Sequence, residues 1–253
     1  MKSANSQSPM EAHAKVVLIA KEKTMQPGKP LWIGIQFHLD EGWHIYWQNA
    51  GDSGEPPKVQ WELPPGFAVG PIQWPQPVRL GGGSIIDYGY EGEVLLMAPI
   101  DGPPRSEAIS APSISAGVKY IVCREICVPG KAHLQLSFPE AGDTSKRRTL
   151  FGQARARLPK PAPASWRISA ESDKDRFLLS VRTNSKVQRA TFLPITPGEI
   201  ENSALQRFVS TGIGFRLELQ KSSQLTKSIS ILKGLVVLGP DRAFEITAPV
   251  VSR

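Results

Sequence analysis

Cys123 and Cys127 are the two cysteines of this 253-residue chain, and three residues separate them. Three chemistries fit such a pair: a structural disulfide, a dithiol/disulfide that exchanges, and a pair of thiolates holding a soft metal such as Cu(I). A four-residue offset spans roughly 13 Å in an extended strand, so the sulfurs meet only if the backbone turns after Val122. A disulfide closing so short a loop gains little from chain entropy and is easily strained, which makes it exchangeable, although an exported chain oxidises two neighbouring thiols whether or not it uses them. Arg124 favours a thiolate at Cys123 and Glu125 opposes it, so the neighbours alone do not fix the thiol acidity. The histidines available to complete a metal site are His13, His38, His44 and His133. None has the spacing of a ligand motif, so neither a metal set nor a cofactor site is nominated. No GxSxG or HExxH pattern occurs, and hydrolytic catalysis finds no support.

The elements that position this pair read as strands. Val118, Tyr120 and Val122 alternate with Lys119 and Ile121, which predicts a strand running into a turn, closed by Pro129-Gly130. Leu31–Leu39 gives the clearest period of two, with Leu31, Ile33, Ile35, Phe37 and Leu39 on one face. Further strands are expected over 13–22, 59–63, 94–100, 109–114 and 132–138. Trp43, Tyr46 and Trp47 read as the end of a core. Gly81-Gly82-Gly83-Ser84 reads as a flexible loop, and Tyr88-Gly89-Tyr90 as a tight turn projecting two rings. Residues 144–158 predict a short helix burying Leu150, Phe151, Ala154 and Leu158, followed by a Pro/Ala stretch. Beyond it, strands are expected over 166–170, 177–183, 190–193, 214–219, 228–232, 235–238 and 242–247, a region without cysteine or histidine.

The expected class is therefore mainly β: two immunoglobulin-like β-sandwich domains joined by a short helical, Pro-rich linker. The boundaries read as 12–140 for the first domain, 141–165 for the linker and 166–253 for the second. Twenty-three prolines and 22 glycines suit such a fold. The excess of 30 basic over 23 acidic residues is scattered, which argues against a nucleic-acid surface. No apolar run approaches the roughly 18 to 20 residues that span a bilayer, so the chain itself is not expected to insert in a membrane. Its start, MKSANSQSPMEAHAK, lacks the apolar core of a signal peptide; either an export signal has been removed or the protein begins there.

Five segments in order, WHIYWQNAGDSGEPP (43–57), GPIQWPQP (70–77), DYGYEGEVLL (87–96), YIVCREICVPG (120–130) and ARARLPKPAPASW (154–166), resemble the extracytoplasmic N-terminal region of DsbD/ScsB-type thiol:disulfide interchange proteins. Phe192, Pro194, Pro197-Gly198 and the GLVVL strand at 234–238 extend the likeness to the ScsB branch. The resemblance implies a periplasmic module that takes electrons from a membrane-embedded DsbD-like donor and passes them to periplasmic thioredoxin-like proteins. It makes Cys127 the attacking thiolate and Cys123 the resolving one. Asp87, Tyr88, Gly89, Tyr90 and Glu91 fall where the family has a cap loop shielding the cysteines. This sequence departs from the family pattern in its three-residue cysteine loop and in having Asp87-Tyr88 near the place of a phenylalanine. Without a membrane span or a CxxC thioredoxin domain, it reads as a fragment or as a module fed by a separate membrane protein. Other readings are a copper(I)-binding or copper-tolerance module, since the ScsB branch is associated with copper tolerance, and an adaptor with a purely structural disulfide.

Overall fold

The computed structural model describes residues 13–26, 28–103, 113–138 and 143–252. The chain divides into two compact units, one of Met1–Gln48, Gly54–Pro77 and Gly89–Ala156, the other of Asn49–Ser53, Val78–Tyr88 and Arg157–Arg253. The architecture is mainly β, as the alternation and turn residues predict, with immunoglobulin-like sandwich sheets and one helix among the described residues.

Among the described residues ten strands precede the helix: β1 (Ala14–Ala20), β2 (Leu31–Leu39), β3 (His44–Gly51), β4 (Lys58–Glu62), β5 (Ala68–Val69), β6 (Val78–Gly82), β7 (Ile85–Glu91), β8 (Glu93–Asp101), β9 (Ser113–Cys123) and β10 (Cys127–Ser137); α1 (Thr144–Ala156) follows. A four-stranded sheet runs β1-β2-β8-β5, and a six-stranded one runs β10-β9-β3-β7-β6 with β4 on β9. Most of the expected strand over 109–114 lies outside the described residues.

Strand β2 forms where its period of two places it, but both of its faces are covered: Gly34 and Gln36 are buried along with Ile33, Ile35 and Phe37. The reason is α1. A Cβ on Gly34 would lie 2.4 Å from Leu95 Cδ1 and 3.2 Å from Phe151 Cζ, so the absent side chain is what lets Phe151 reach the sheet. Arg155 sets its guanidinium 4.6 Å above the Trp32 ring, and the Asp143 carboxylate accepts the Ser145 N–H at 2.8 Å to cap the helix. Phe151 and Ala154 are buried as expected, while Leu150 and Leu158 are half-buried.

The glycine run 81–84 is not a flexible loop. It closes a hairpin between β6 and β7, with Gly81 and Gly83 at φ of 82° and 69°. Strand β6 escapes the hydrophobic pattern because only Leu80 in it is buried. Tyr88-Gly89-Tyr90 is not a turn either: all three lie inside β7, and the chain reverses at Gly92, φ 65°.

The second unit adds β11 (Lys160–Pro161), β12 (Arg167–Ser172), β13 (Arg176–Arg182), β14 (Thr191–Pro194), β15 (Arg207–Thr211), β16 (Gly214–Gln220), β17 (Ile231–Val237) and β18 (Ala243–Ser252), in the order β14-β17-β18-β12-β13-β16-β15, with β11 on β18. Register places Phe177 opposite Leu219, Leu179 opposite Leu217 and Val181 opposite Phe215, and all six are buried. Residues 228–238 do not make two strands. Gly234 lies mid-strand in β17 because its missing Cβ, which would sit 2.4 Å from the Phe192 ring, lets that ring pack across the backbone. Strand β15 goes unforeseen because it buries no residue fully and so shows no alternation.

Replacing Phe151 by alanine empties the contact between α1 and the β2–β8 face and is expected to cost about 3 to 4 kcal/mol, read as a lowered urea midpoint. A second expectation concerns Glu199, 6% exposed, whose Oε2 has no hydrogen-bond partner among the described residues. Burial raises its pKa from 4.5 to about 7, partly offset by a hydrogen bond from Thr196. Between those two values the folded form holds the proton more tightly than the unfolded chain, so stability falls as pH rises through that window and is level above it. Glu199→Gln should flatten this slope in thermal melts taken from pH 4.5 to 8.

Candidate functional site

The site begins with register. Strands β9 and β10 pair without interruption from Ser113↔Ser137 to Cys123↔Cys127, and Arg124, Glu125 and Ile126 make the connecting loop, closed by an Arg124 N–H to Ile126 C=O bond of 3.0 Å. Strand β9 runs one residue past Val122, where the turn was expected, and the chain reverses over Arg124–Ile126 after Cys123. Pro129 and Gly130, however, continue strand β10 and do not end it. The cysteines are therefore direct cross-strand partners with Cα atoms 4.1 Å apart, and they form a disulfide. Gly130 stays in the strand for a steric reason: a Cβ there would come within 2.3 Å of the ring of Tyr120, its register partner.

The two sulfurs have different surroundings. Cys123 is 2% exposed, whereas Cys127 is exposed, as are the three loop residues, with Ile126 at 66%. His44 on β3 is the register partner of Cys123 on the side away from β10, and Tyr46, two residues on, shares its face. The Tyr46 hydroxyl donates to Cys123 Sγ at 2.9 Å and lies 3.7 Å from Cys127 Sγ. Tyr46 is itself fully buried; its ring meets the His44 ring edge-on at 5.3 Å and packs against Gly54, where a Cβ would stand 2.1 Å from the ring. Gly54 sits at φ 69°, so both its backbone and its missing side chain serve this packing. A nucleophile arriving from solvent meets Cys127 first, and the sulfur that would then depart faces a phenol.

Of the residues singled out in the sequence, the structure brings Cys123 and Cys127 together. Asp87 and Tyr88 are held in the second unit: Asp87 accepts from Ser53 N–H and Oγ at 2.8 and 2.7 Å, and the Tyr88 hydroxyl donates to Asn202 Oδ1 at 2.9 Å. Burial pushes the Tyr88 hydroxyl far above the ordinary phenol range. Tyr90, buried in the first unit, donates to the Pro75 carbonyl at 2.8 Å; Gly89 is buried and Glu91 exposed. His13 and His38 pair with Asp40 and Glu93, and His133 lies on the exposed face of β10. Among the described residues no group of three or more His, Cys, Asp or Glu could hold a metal ion.

Tyr46 is the residue that motif reading passed over. It lies within the aromatic cluster of 43–47, and the burial of Trp43, Tyr46 and Trp47 agrees with a core end. Its offset of two from His44 carries it to the sulfur, and that pairing of β3 with β9 is not visible in sequence.

Comparison with known proteins gives one family match and a close fold. Residues 15–139 match the family described as thiol:disulfide interchange protein DsbD, N-terminal. The N-terminal periplasmic domain of ScsB from Proteus mirabilis superposes with a TM-score of 0.76 at 16% identity, covering 96% of each chain. The periplasmic chaperone SfaE aligns at 9% identity with a TM-score of 0.24, over 94% of this chain and 100% of that one, too low to bear on fold. No curated protein sequence matches the chain. No helix among the described residues is long and apolar enough to cross a membrane. Residues 15–139, which contain the disulfide, thus belong to the DsbD N-terminal family of thiol:disulfide interchange proteins.

Proposed function

We propose that this chain is an extracytoplasmic electron carrier, reduced by a membrane-embedded DsbD-like partner and reoxidised by thioredoxin-like proteins through Cys123 and Cys127. The observation that carries this reading is the asymmetry of the disulfide, with Cys127 open to solvent and Cys123 buried beneath the Tyr46 hydroxyl.

In the reducing half, a donor thiolate attacks Cys127 Sγ. The S–S bond breaks, a donor–Cys127 bond forms, and the electron pair leaves on Cys123, whose thiolate accepts the Tyr46 O–H hydrogen bond. The second donor thiolate then attacks its own sulfur in that mixed disulfide and frees Cys127, leaving two thiols and an oxidised donor. In the delivering half, the Cys127 thiolate attacks an acceptor disulfide, and Cys123 resolves the new mixed disulfide, restoring the Cys123–Cys127 bond and passing two electrons on. Thiolates are the reacting species throughout, so a donor placed on the departing sulfur lowers the barrier. The shielding role that the resemblance gives Asp87–Glu91 belongs to the same reading.

Cys127→Ser should abolish transfer, while Cys123→Ser should accumulate a mixed disulfide with a thioredoxin-like acceptor, seen by non-reducing gel electrophoresis and mass spectrometry. The disulfide should titrate in glutathione or dithiothreitol buffers at roughly −180 to −270 mV, and a value below about −300 mV would mark a bond built to persist. Tyr46→Phe removes one hydrogen bond to a developing charge, a loss of about 1.5 kcal/mol, and should slow reduction by a small thiol about tenfold. An unchanged rate would assign Tyr46 to packing alone.

A further inference from the structure

The face of β9 and β10 that carries the disulfide also carries a row of lysines. Register sets Lys58 of β4 opposite Lys119 of β9, and Lys119 opposite Lys131 of β10, so three ammonium groups stand side by side across three adjacent strands. All three are exposed. The next row on the same face is Gln60, Gly117 and His133. Because Gly117 has no side chain, the two rows surround a hollow of about 210 Å³ lined by Lys58, Gln60, Lys119, Lys131 and His133. Like charges placed directly opposite one another in a sheet repel, and nothing in the strand pairing itself calls for them.

The surrounding charges do not neutralise the row. Lys58 pairs with Glu55, and Glu62 lies farther along β4, but Lys119 and Lys131 form no ion pair among the described residues. Side chains alternate along an unbroken ladder, so Lys119 shares its face with Cys123, and Lys131 with Cys127. Three residues separate each lysine from its cysteine, an offset of four that spans about 13 Å along the strand. The pair between them, Ile121 and Pro129, carries no charge.

We propose that this lysine row docks an acidic surface of the protein that exchanges with Cys127, holding a reactive partner cysteine about 13 Å from a cluster of carboxylates. The inference rests on the thiol-exchange reading and adds the chemistry of the partner: acidic beside its cysteine, recognised by charge. Opposite charge raises the encounter rate and does so less as salt screens it.

The test uses two synthetic peptides, each with one cysteine, a neutral three-residue spacer and three glutamates or three glutamines. Formation of the peptide–Cys127 mixed disulfide is followed by acid quench and mass spectrometry. In this step the peptide thiolate bonds to Cys127 Sγ and the electron pair departs on Cys123. At about 20 mM salt the glutamate peptide should react on the order of tenfold faster, and the advantage should vanish at about 500 mM salt. It should also vanish in Lys119→Gln/Lys131→Gln, while uncharged dithiothreitol reduces both proteins at one rate. Equal measurable rates for the two peptides, or an advantage that survives the double substitution, would overturn the proposal. Fluorescence anisotropy with the glutamate peptide carrying serine for cysteine tests the surface apart from exchange. Saturable binding lost in the double variant supports docking even if no thiol reacts, in which case the carrier reading alone falls; binding that the double variant retains counts against the lysine row.

Discussion

The unbroken ladder between β9 and β10 is the constraint from which the site follows. A shift of one residue would send every side chain to the opposite face, so a continuous register from Ser113↔Ser137 to Cys123↔Cys127 fixes both sulfurs on one side at the hairpin end. The three-residue loop then leaves them no other partner, and the disulfide becomes the last rung of the ladder. With β3 lying along the other edge of Cys123, one sulfur is enclosed by the sheet and the other is left at its rim. The chemical inequality of the two cysteines is thus a property of sheet position, before any neighbouring charge is considered.

Aromatic rings set against glycines hold this end of the sheet. Tyr46 occupies the space over Gly54, and Tyr120 that over Gly130; Tyr120 also meets Phe37 edge-on at 5.4 Å. Each pairing replaces a side chain with a ring face, bringing a bulky group close to the backbone without widening the sheet. The helix repeats the device on the other sheet, with Phe151 over Gly34. In all three places the glycine is chosen for what it leaves empty.

Much of this was legible in the sequence, and the failures have physical reasons. Strand β2 matched its period of two to the residue because its core face is long and apolar, yet the same pattern said nothing of α1 covering its other side. The turn at the cysteines followed from the reach of a disulfide. Pro129-Gly130 misled because those residue types usually break a strand, whereas here the rim of a hairpin tolerates the proline and Tyr120 requires the glycine. Strands β6 and β15, with little buried surface, left no trace in the hydrophobic pattern. Tyr46 could be placed in a core from its neighbours, but its partner sulfur, 77 residues away, depends on which strands pair.

The second unit is assembled from pieces far apart in the chain. Asn202, 5% exposed, receives the Tyr88 hydroxyl and an Arg79 N–H to its own carbonyl, and donates to Asp52, whose other oxygen accepts the Ile86 N–H. Asn49 donates to the carbonyl of Pro194. During synthesis, residues 49–53 and 78–88 leave the ribosome more than a hundred residues ahead of Asn202, and their polar groups stay with water until it arrives. A polypeptide starting at residue 157 would keep the apolar core of β13 and β16 yet lose Asp52, Arg79 and Tyr88, leaving the Asn202 amide to bond with water. Completion of this unit is therefore a late event, set by the last third of the chain.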